Sequence, residues 1–176
     1  MRKTADERRA DVVRAALKEF SRRGLHGTST DAIARMVGVS QPYLFRLYQS
    51  KRDIFLAAGM HCFERTHEAF ELAAMGHVGE DALDAMRLAY ERLAEDRELL
   101  LMQMQLYVAA SSDEEIRRVV VEWWGDLWTL VEKLTGMPES VVTEFMSWGT
   151  LANVKVALHT YEGHMPVGAA RSHAAR

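Results

Sequence analysis

The sequence contains a single cysteine, Cys62, and only three prolines in 176 residues. One cysteine leaves no internal disulfide, so packing must hold the fold, and a reducing cytoplasmic setting suits it. Scarce proline leaves helices uninterrupted. Runs of Val, Ile and Thr are short and no apolar–polar alternation persists, which removes the raw material of a sheet. The expected class is therefore all-α. No run of about eighteen apolar residues occurs, so no membrane span is expected. The N-terminus, MRKTADERRAD, is too charged for a secretory leader. Gly-rich phosphate loops, CxxC, HExxH and GxSxG are also missing, so neither an enzyme nor a cofactor is expected.

What is present centres on Thr28 to Asp53, TSTDAIARMVGVSQPYLFRLYQSKRD. Thr28 has the hydroxyl of a helix cap, with Asp31 at capping-box distance. Ala32, Ile33, Met36 and Val37 recur at helical spacing, and Gly38 suits a left-handed helix end. Ser40 then caps a second helix whose first turn accepts Pro42. Leu44, Phe45, Leu47 and Tyr48 continue the apolar face, and Ser50 with Asp53 opens a third helix. Two short helices joined by a glycine-containing turn form a helix-turn-helix, whose second helix enters the major groove of DNA. Gln41, Tyr43 and Arg46 are the side chains it would expose to bases and phosphates. A helical hairpin inside an ordinary bundle has the same local pattern, so charge must decide. Residues 1–52 hold twelve Lys/Arg against five Asp/Glu, a net of +7, whereas the remainder holds ten against twenty, a net of −10. A basic head on an acidic body marks the side that meets duplex DNA.

TSTDAIARMVGVS, the following Leu44-Phe45-Arg46-Leu47-Tyr48 and the Ser50-Lys51 pair together resemble the N-terminal domain of TetR-type regulators, over roughly residues 4 to 56. The resemblance implies a dimer bound to double-stranded operator DNA. It assigns DNA contact to Thr28, Ser40, Gln41, Pro42, Tyr43, Arg46, Tyr48 and Lys51. Phe45 stands where the family usually has tyrosine, and Leu47 where it often has histidine. A phosphate contact made by that tyrosine passes to Tyr43 or Tyr48.

Three segments follow from these patterns: a DNA-binding domain at 1–52, a ligand-binding and dimerisation domain at 53–163, and a disordered tail at 164–176. In the head, Thr4 and Glu7 open a first helix that Gly24 ends. In the body, helices are expected from Lys51 to about Met75, Glu80 to Asp96, Glu98 to Ala110, Ser111 or Ser112 to Thr135, and Pro138 to Glu162-Gly163. The body is rich in soft and aromatic side chains. Met60, Phe63, His67, Met86, Tyr90, Met102, Tyr107, Trp123 and Trp124 are candidates for a pocket that takes an apolar or aromatic effector, although Met and aromatic residues fill plain cores equally well. His61, Glu64, His67, Glu68 and Glu71 share helical spacings, but Glu64-x-x-His67 lacks the second such motif that a di-metal bundle needs. The last helix has hardly any polar face. A helix apolar all round must be covered on both sides, which points to a dimer interface of Trp128, Val142, Phe145, Met146, Gly149, Ala152, Asn153 and Val156. A ligand-responsive, dimeric, cytoplasmic DNA-binding regulator, with repression as the expected outcome, is one reading. A helical-bundle small-molecule or metal-binding protein without operator function is the other.

Overall fold

The computed structural model describes residues 4–159. Its first helix, α1 (Ala5–Gly27), opens on a complete capping box. The Thr4 hydroxyl accepts from the Glu7 amide at 3.2 Å, and the Glu7 carboxylate accepts from the Thr4 amide at 2.7 Å. Gly24 leaves the helical path at φ 66° and ψ −178°, the expected end of the first helical stretch, and one further turn runs to Gly27 beyond the kink. There follow α2 (Thr30–Val37), α3 (Gln41–Leu47), α4 (Lys51–Ala74), α5 (Gly79–Leu93), α6 (Arg97–Ala110), α7 (Glu114–Thr135) and α8 (Glu139–Ala157). Among the described residues all regular structure is helical, and no helix is long and apolar enough to cross a membrane.

Several boundaries differ from expectation. Thr28 is not a cap; it is buried and its hydroxyl donates to the Glu19 carbonyl at 3.2 Å, leaving Ser29 to begin α2. α5 stops at Leu93 because Asp96 caps α6, accepting from the Leu99 amide. Asp113, not Ser111 or Ser112, caps α7; it accepts from the Glu115 and Ile116 amides, while both serine hydroxyls bond back to α6 carbonyls. α8 ends at Ala157, where the chain turns into a left-handed residue, His159, at φ 59°. The tail expected at 164–176 lies outside the described residues.

Val12, Ala16, Phe20, Ile33 and Leu44 close the core of the α1–α3 head, together with Ile54 and Phe55 from the start of α4. Phe20 and Phe55 meet edge to face with centroids 5.1 Å apart. Farther along, α4 contributes Phe63, Thr66 and Phe70 to the core of the body. One helix therefore belongs to both cores, and α1 lies along α6 in the most extensive helix–helix contact of the molecule.

Candidate nucleic-acid interface and body cavity

α3 is short, and its placement depends on its ends. The Ser40 hydroxyl accepts from the Tyr43 amide at 3.3 Å, and Pro42 occupies the first turn. Gln41 Nε2 donates to the Thr30 hydroxyl at 2.7 Å, which fastens the start of α3 to the start of α2. Leu44 is fully buried, while Ser40, Gln41, Pro42, Phe45 and Arg46 are exposed and Tyr43 is half-buried. Sequence spacing assigned Phe45 to the inner face; it is instead 40% exposed beside Arg46, one turn after Gln41. Met36 of α2 is likewise exposed, leaving Ile33 and Ala34 as that helix's buried residues. An exposed phenyl ring on a reading helix can contact a thymine methyl.

Charge on the head is unevenly engaged. Arg9, Arg14 and Arg35 pair with Asp6, Asp11 and Asp31 on their own helices. Arg46 has no carboxylate partner among the described residues; its guanidinium lies over the Tyr43 ring, 5.8 Å from the centroid. Lys51 Nζ donates to the Thr28 carbonyl at 3.2 Å and lies 3.5 Å from the His26 carbonyl. Its charge is therefore fixed at the α1–α2 turn. Tyr48 is half-buried with its hydroxyl 3.5 Å from the Arg9 carbonyl, and burial pushes the phenol up, against the opposing pull of Arg9.

The head is fastened to the body at three points. Arg22 pairs with Glu98 at 2.9 Å, and Gln105 Nε2 donates to the Ser21 carbonyl at 3.4 Å. Arg52 is bidentate, reaching Glu115 at 2.6 Å and Asp113 at 2.7 Å at the start of α7. The Ile116 amide, then the Arg52 guanidinium and the Glu115 amide, hold the Asp113 carboxyl below its usual range.

Residues 12–58 match the model of the bacterial regulatory proteins of the tetR family. Over 52 residues the chain is 42% identical to the HTH-type transcriptional activator FasR of Mycolicibacterium smegmatis, covering 30% of this chain and 24% of that protein. It is 28% identical to the HTH-type transcriptional regulator YdgC of Bacillus subtilis, covering 96% of this chain and 98% of that one. Among solved structures, a TetR family transcription regulator from Marinobacter aquaeolei superposes with a TM-score of 0.70 at 18% identity, covering 90% of this chain and 88% of the other. A TetR-like regulator from Rhodococcus superposes at 0.67 and 23%, with 92% and 90% covered. Residues 12–58 form a TetR-type N-terminal domain, and the whole chain shares the fold of TetR-family regulators. The α2–α3 hairpin lies inside the matched stretch.

Two spaces occur in the body. A cavity of about 30 Å³ is walled by Phe63, Thr66 and Phe70 of α4, Tyr90 of α5, Gln103 and Tyr107 of α6, Trp124 and Leu127 of α7, and Phe145, Met146, Trp148, Gly149, Thr150 and Asn153 of α8. A groove of about 350 Å³ between α4 and α7 is lined by Met60, Phe63, Glu64, His67, Trp123, Asp126 and Leu127. The expected pocket residues therefore divide. Phe63, Tyr90, Tyr107 and Trp124 reach the cavity; Met60, His67 and Trp123, with Phe63 again, line the groove. Met86 and Met102 belong to neither, because both are fully buried in the core. Sequence reasoning missed the polar part of the cavity. Tyr90 donates to Asn153 Oδ1 at 2.7 Å, Asn153 Nδ2 to Gln103 Oε1 at 2.9 Å, and Gln103 Nε2 to the Thr66 hydroxyl at 3.3 Å. His67 lies 3.5 Å from Glu71, and no group of three potential metal ligands converges among the described residues.

The dimer expectation needs correction at most of its residues. Val142, Phe145, Met146, Ala152, Asn153 and Val156 are buried within one chain, where α8 packs against α5, α6 and α7 and Phe145 meets Phe70 of α4. Gly149 faces Tyr90, where an added Cβ would lie 3.7 Å from the ring. Trp128 and Gly149 are the members of that set that stay partly exposed, the Trp128 indole N–H donating to Glu132 at 3.0 Å.

Proposed function

We propose that this regulator works as a homodimer on a palindromic operator and leaves it when a small molecule enters the body, which makes it a repressor. The observation that carries this reading is the state of α3: capped, tied to α2 through Gln41, and presenting an Arg46 without a carboxylate partner. Arg reads guanine or grips phosphate, and Phe45 adds an apolar contact. Gln41, already engaged with Thr30, can position α3 as well as read a base.

Dimerisation uses the outer faces of α7 and α8. Val121 is 64% exposed and Leu151 48%, and with Gly125, Trp128 and Leu158 they leave apolar surface that a second copy would cover. A two-fold axis there places two α3 helices over half-sites about 34–36 Å apart or a multiple of that. Signalling runs along α4, whose first turns pack in the head and whose middle walls the cavity. A ligand moves that helix by no more than its differential affinity for the two arrangements allows. The same reading gives a cytoplasmic, DNA-associated location and no catalytic role.

Selection of bound duplexes from a random pool tests the reading. An enriched inverted repeat is expected, along with a dimer at micromolar concentration by sedimentation that Leu151→Glu converts to monomer. An enriched sequence without two-fold symmetry, or a wild-type monomer, would overturn the dimeric part. No enrichment at all would overturn the operator.

A further inference from the structure

The body cavity has a definite chemical character, and the inference drawn from it rests on the reading of the body as the effector-receiving half. Its wall contains no charged side chain. Phe63, Phe70, Tyr90, Trp124, Phe145 and Trp148 surround it with ring faces and edges; Phe145 and Trp148 are stacked, 29° apart in plane at 6.0 Å. Arg87, 5.8 Å over the Phe145 ring, is already paired with Asp84 at 2.8 Å. Four polar side chains in the wall form the chain Tyr90–Asn153–Gln103–Thr66, the Thr150 hydroxyl donates to the Met146 carbonyl, and the Tyr107 hydroxyl accepts from the Trp124 indole. One group stands apart. The indole N–H of Trp148, buried from solvent, has no acceptor among the described residues.

We propose that this cavity takes a neutral, planar aromatic compound with a carbonyl acceptor, such as an aromatic lactone, ketone or ester, and that Trp148 donates to that carbonyl. Neutrality follows from the wall, since an unpaired charge brought into an apolar site is strongly disfavoured. Anions are opposed a second time at the neighbouring groove, where Glu64 and Asp126 flank the apolar residues. Planarity follows from ring walls, which accept offset or edge contacts with another ring. The acceptor follows from Trp148, because a buried donor without a partner is costly and gains when one arrives.

Size is reconciled by the shared wall. A ligand-sized site is commonly about 300–1,000 Å³, and the cavity holds about 30 Å³. Phe63 and Leu127 line both the cavity and the groove of about 350 Å³. Rotation of those two side chains joins the spaces, and Trp124 and Trp148, both only partly buried, have room to follow. Ligand entry therefore presses on Phe63, a residue of α4.

Calorimetric titration of the full chain, without DNA, with coumarin, naphthalene and 2-naphthoate separates the alternatives. Coumarin is expected to bind about tenfold more tightly than naphthalene, the value of one satisfied buried donor. 2-Naphthoate, with similar rings and a charge, is expected to show no saturable binding over the same range. In Trp148→Phe the coumarin-to-naphthalene ratio falls towards one. Equal affinity for coumarin and naphthalene in the wild type, binding of naphthoate as tight as coumarin, an unchanged ratio in Trp148→Phe, or no binding by any of the three overturns the proposal. Should the variant not fold, the order of the three ligands on the wild type decides alone. Failure of the DNA selection leaves this order untouched, and a wrong order with a clear operator removes only the ligand class.

Discussion

Gly24 joins the end of α1 to the body, and replacing it with alanine tests whether that junction is as demanding as its geometry. The residue holds φ 66° and ψ −178°, a region essentially restricted to glycine, where another residue costs about 1–3 kcal/mol. An added Cβ would lie 2.6 Å from Gln105 Oε1, so Gln105 must move. Its bond to the Ser21 carbonyl, at 3.4 Å, would then be lost, and a bond of that kind is worth about 0.5–1 kcal/mol. Alanine also stiffens the unfolded chain, which returns about 0.4–1 kcal/mol. The net loss for Gly24→Ala is about 1–3 kcal/mol, a fall of about 2–12 °C in Tm for a chain of this length. Urea unfolding of Gly24→Ala, Gln105→Ala and the double variant gives both parts. With Gln105 already truncated, the alanine penalty should shrink by about 0.5–1 kcal/mol without vanishing, because backbone strain remains. Gly24→Ala as stable as wild type in both backgrounds would refute the reasoning.

Arg46→Ala should weaken specific DNA binding by about 1–3 kcal/mol in a titration and relax base preference at one position of each half-site. Lys51→Ala should weaken all sequences alike and lower the salt dependence by about one unit; loss of its Thr28 carbonyl contact should also appear as reduced stability of the free protein. Inserting Gly-Ser after Lys51 should leave ligand binding intact while ligand no longer releases DNA, and intact release would dismiss α4 as the connection. On the alkaline side, burial pushes the Cys62 thiol and the Tyr107 phenol up from ordinary values of 9.0 and 10.0. The unfolded chain then sheds protons that the folded chain keeps, so the contribution of these groups is complete below about pH 9 and lost as pH rises above it. Cys62→Ala should flatten the first part of that decline in chemical unfolding measured from pH 8 to 11.

Local chemistry explains what could be read directly. Thr4, Ser40 and Ser50 cap the helices expected of them, and Gly38 and Gly136 hold left-handed ends. These features depend on residues within a turn of one another, so neighbours in sequence suffice. Thr28-Ser29-Thr30 offers three hydroxyls in a row, and tertiary packing selects which is buried. Phe45 was misplaced because seven residues make too few turns for spacing to define a face. The apolar circumference of α8 was legible, but what covers it was not: α5, α6 and α7 pack against the helix first assigned to a copy. Methionine carries no mark that distinguishes core from pocket, so Met86 and Met102 were drawn to the wrong place. The amide chain through Gln103 and Asn153 had no sequence signature, since its members lie on α4, α5, α6 and α8 and meet only after folding.

The separation of charge, +7 in the first 52 residues and −10 beyond them, also governs how the molecule arrives. Opposite charge at two ends of a rigid body makes a permanent electric dipole, and the field near DNA exerts a torque on it before any atom touches. Within the screening length, about 8 Å at physiological salt, the basic end is drawn in and the acidic end pushed outward. Encounters are thereby filtered by orientation, and a collision on the flank of the body is shed rather than trapped. An approach of that kind brings the α1–α3 end toward the duplex first. Raising the salt would first slow productive arrival, well before it altered the contacts of the finished complex.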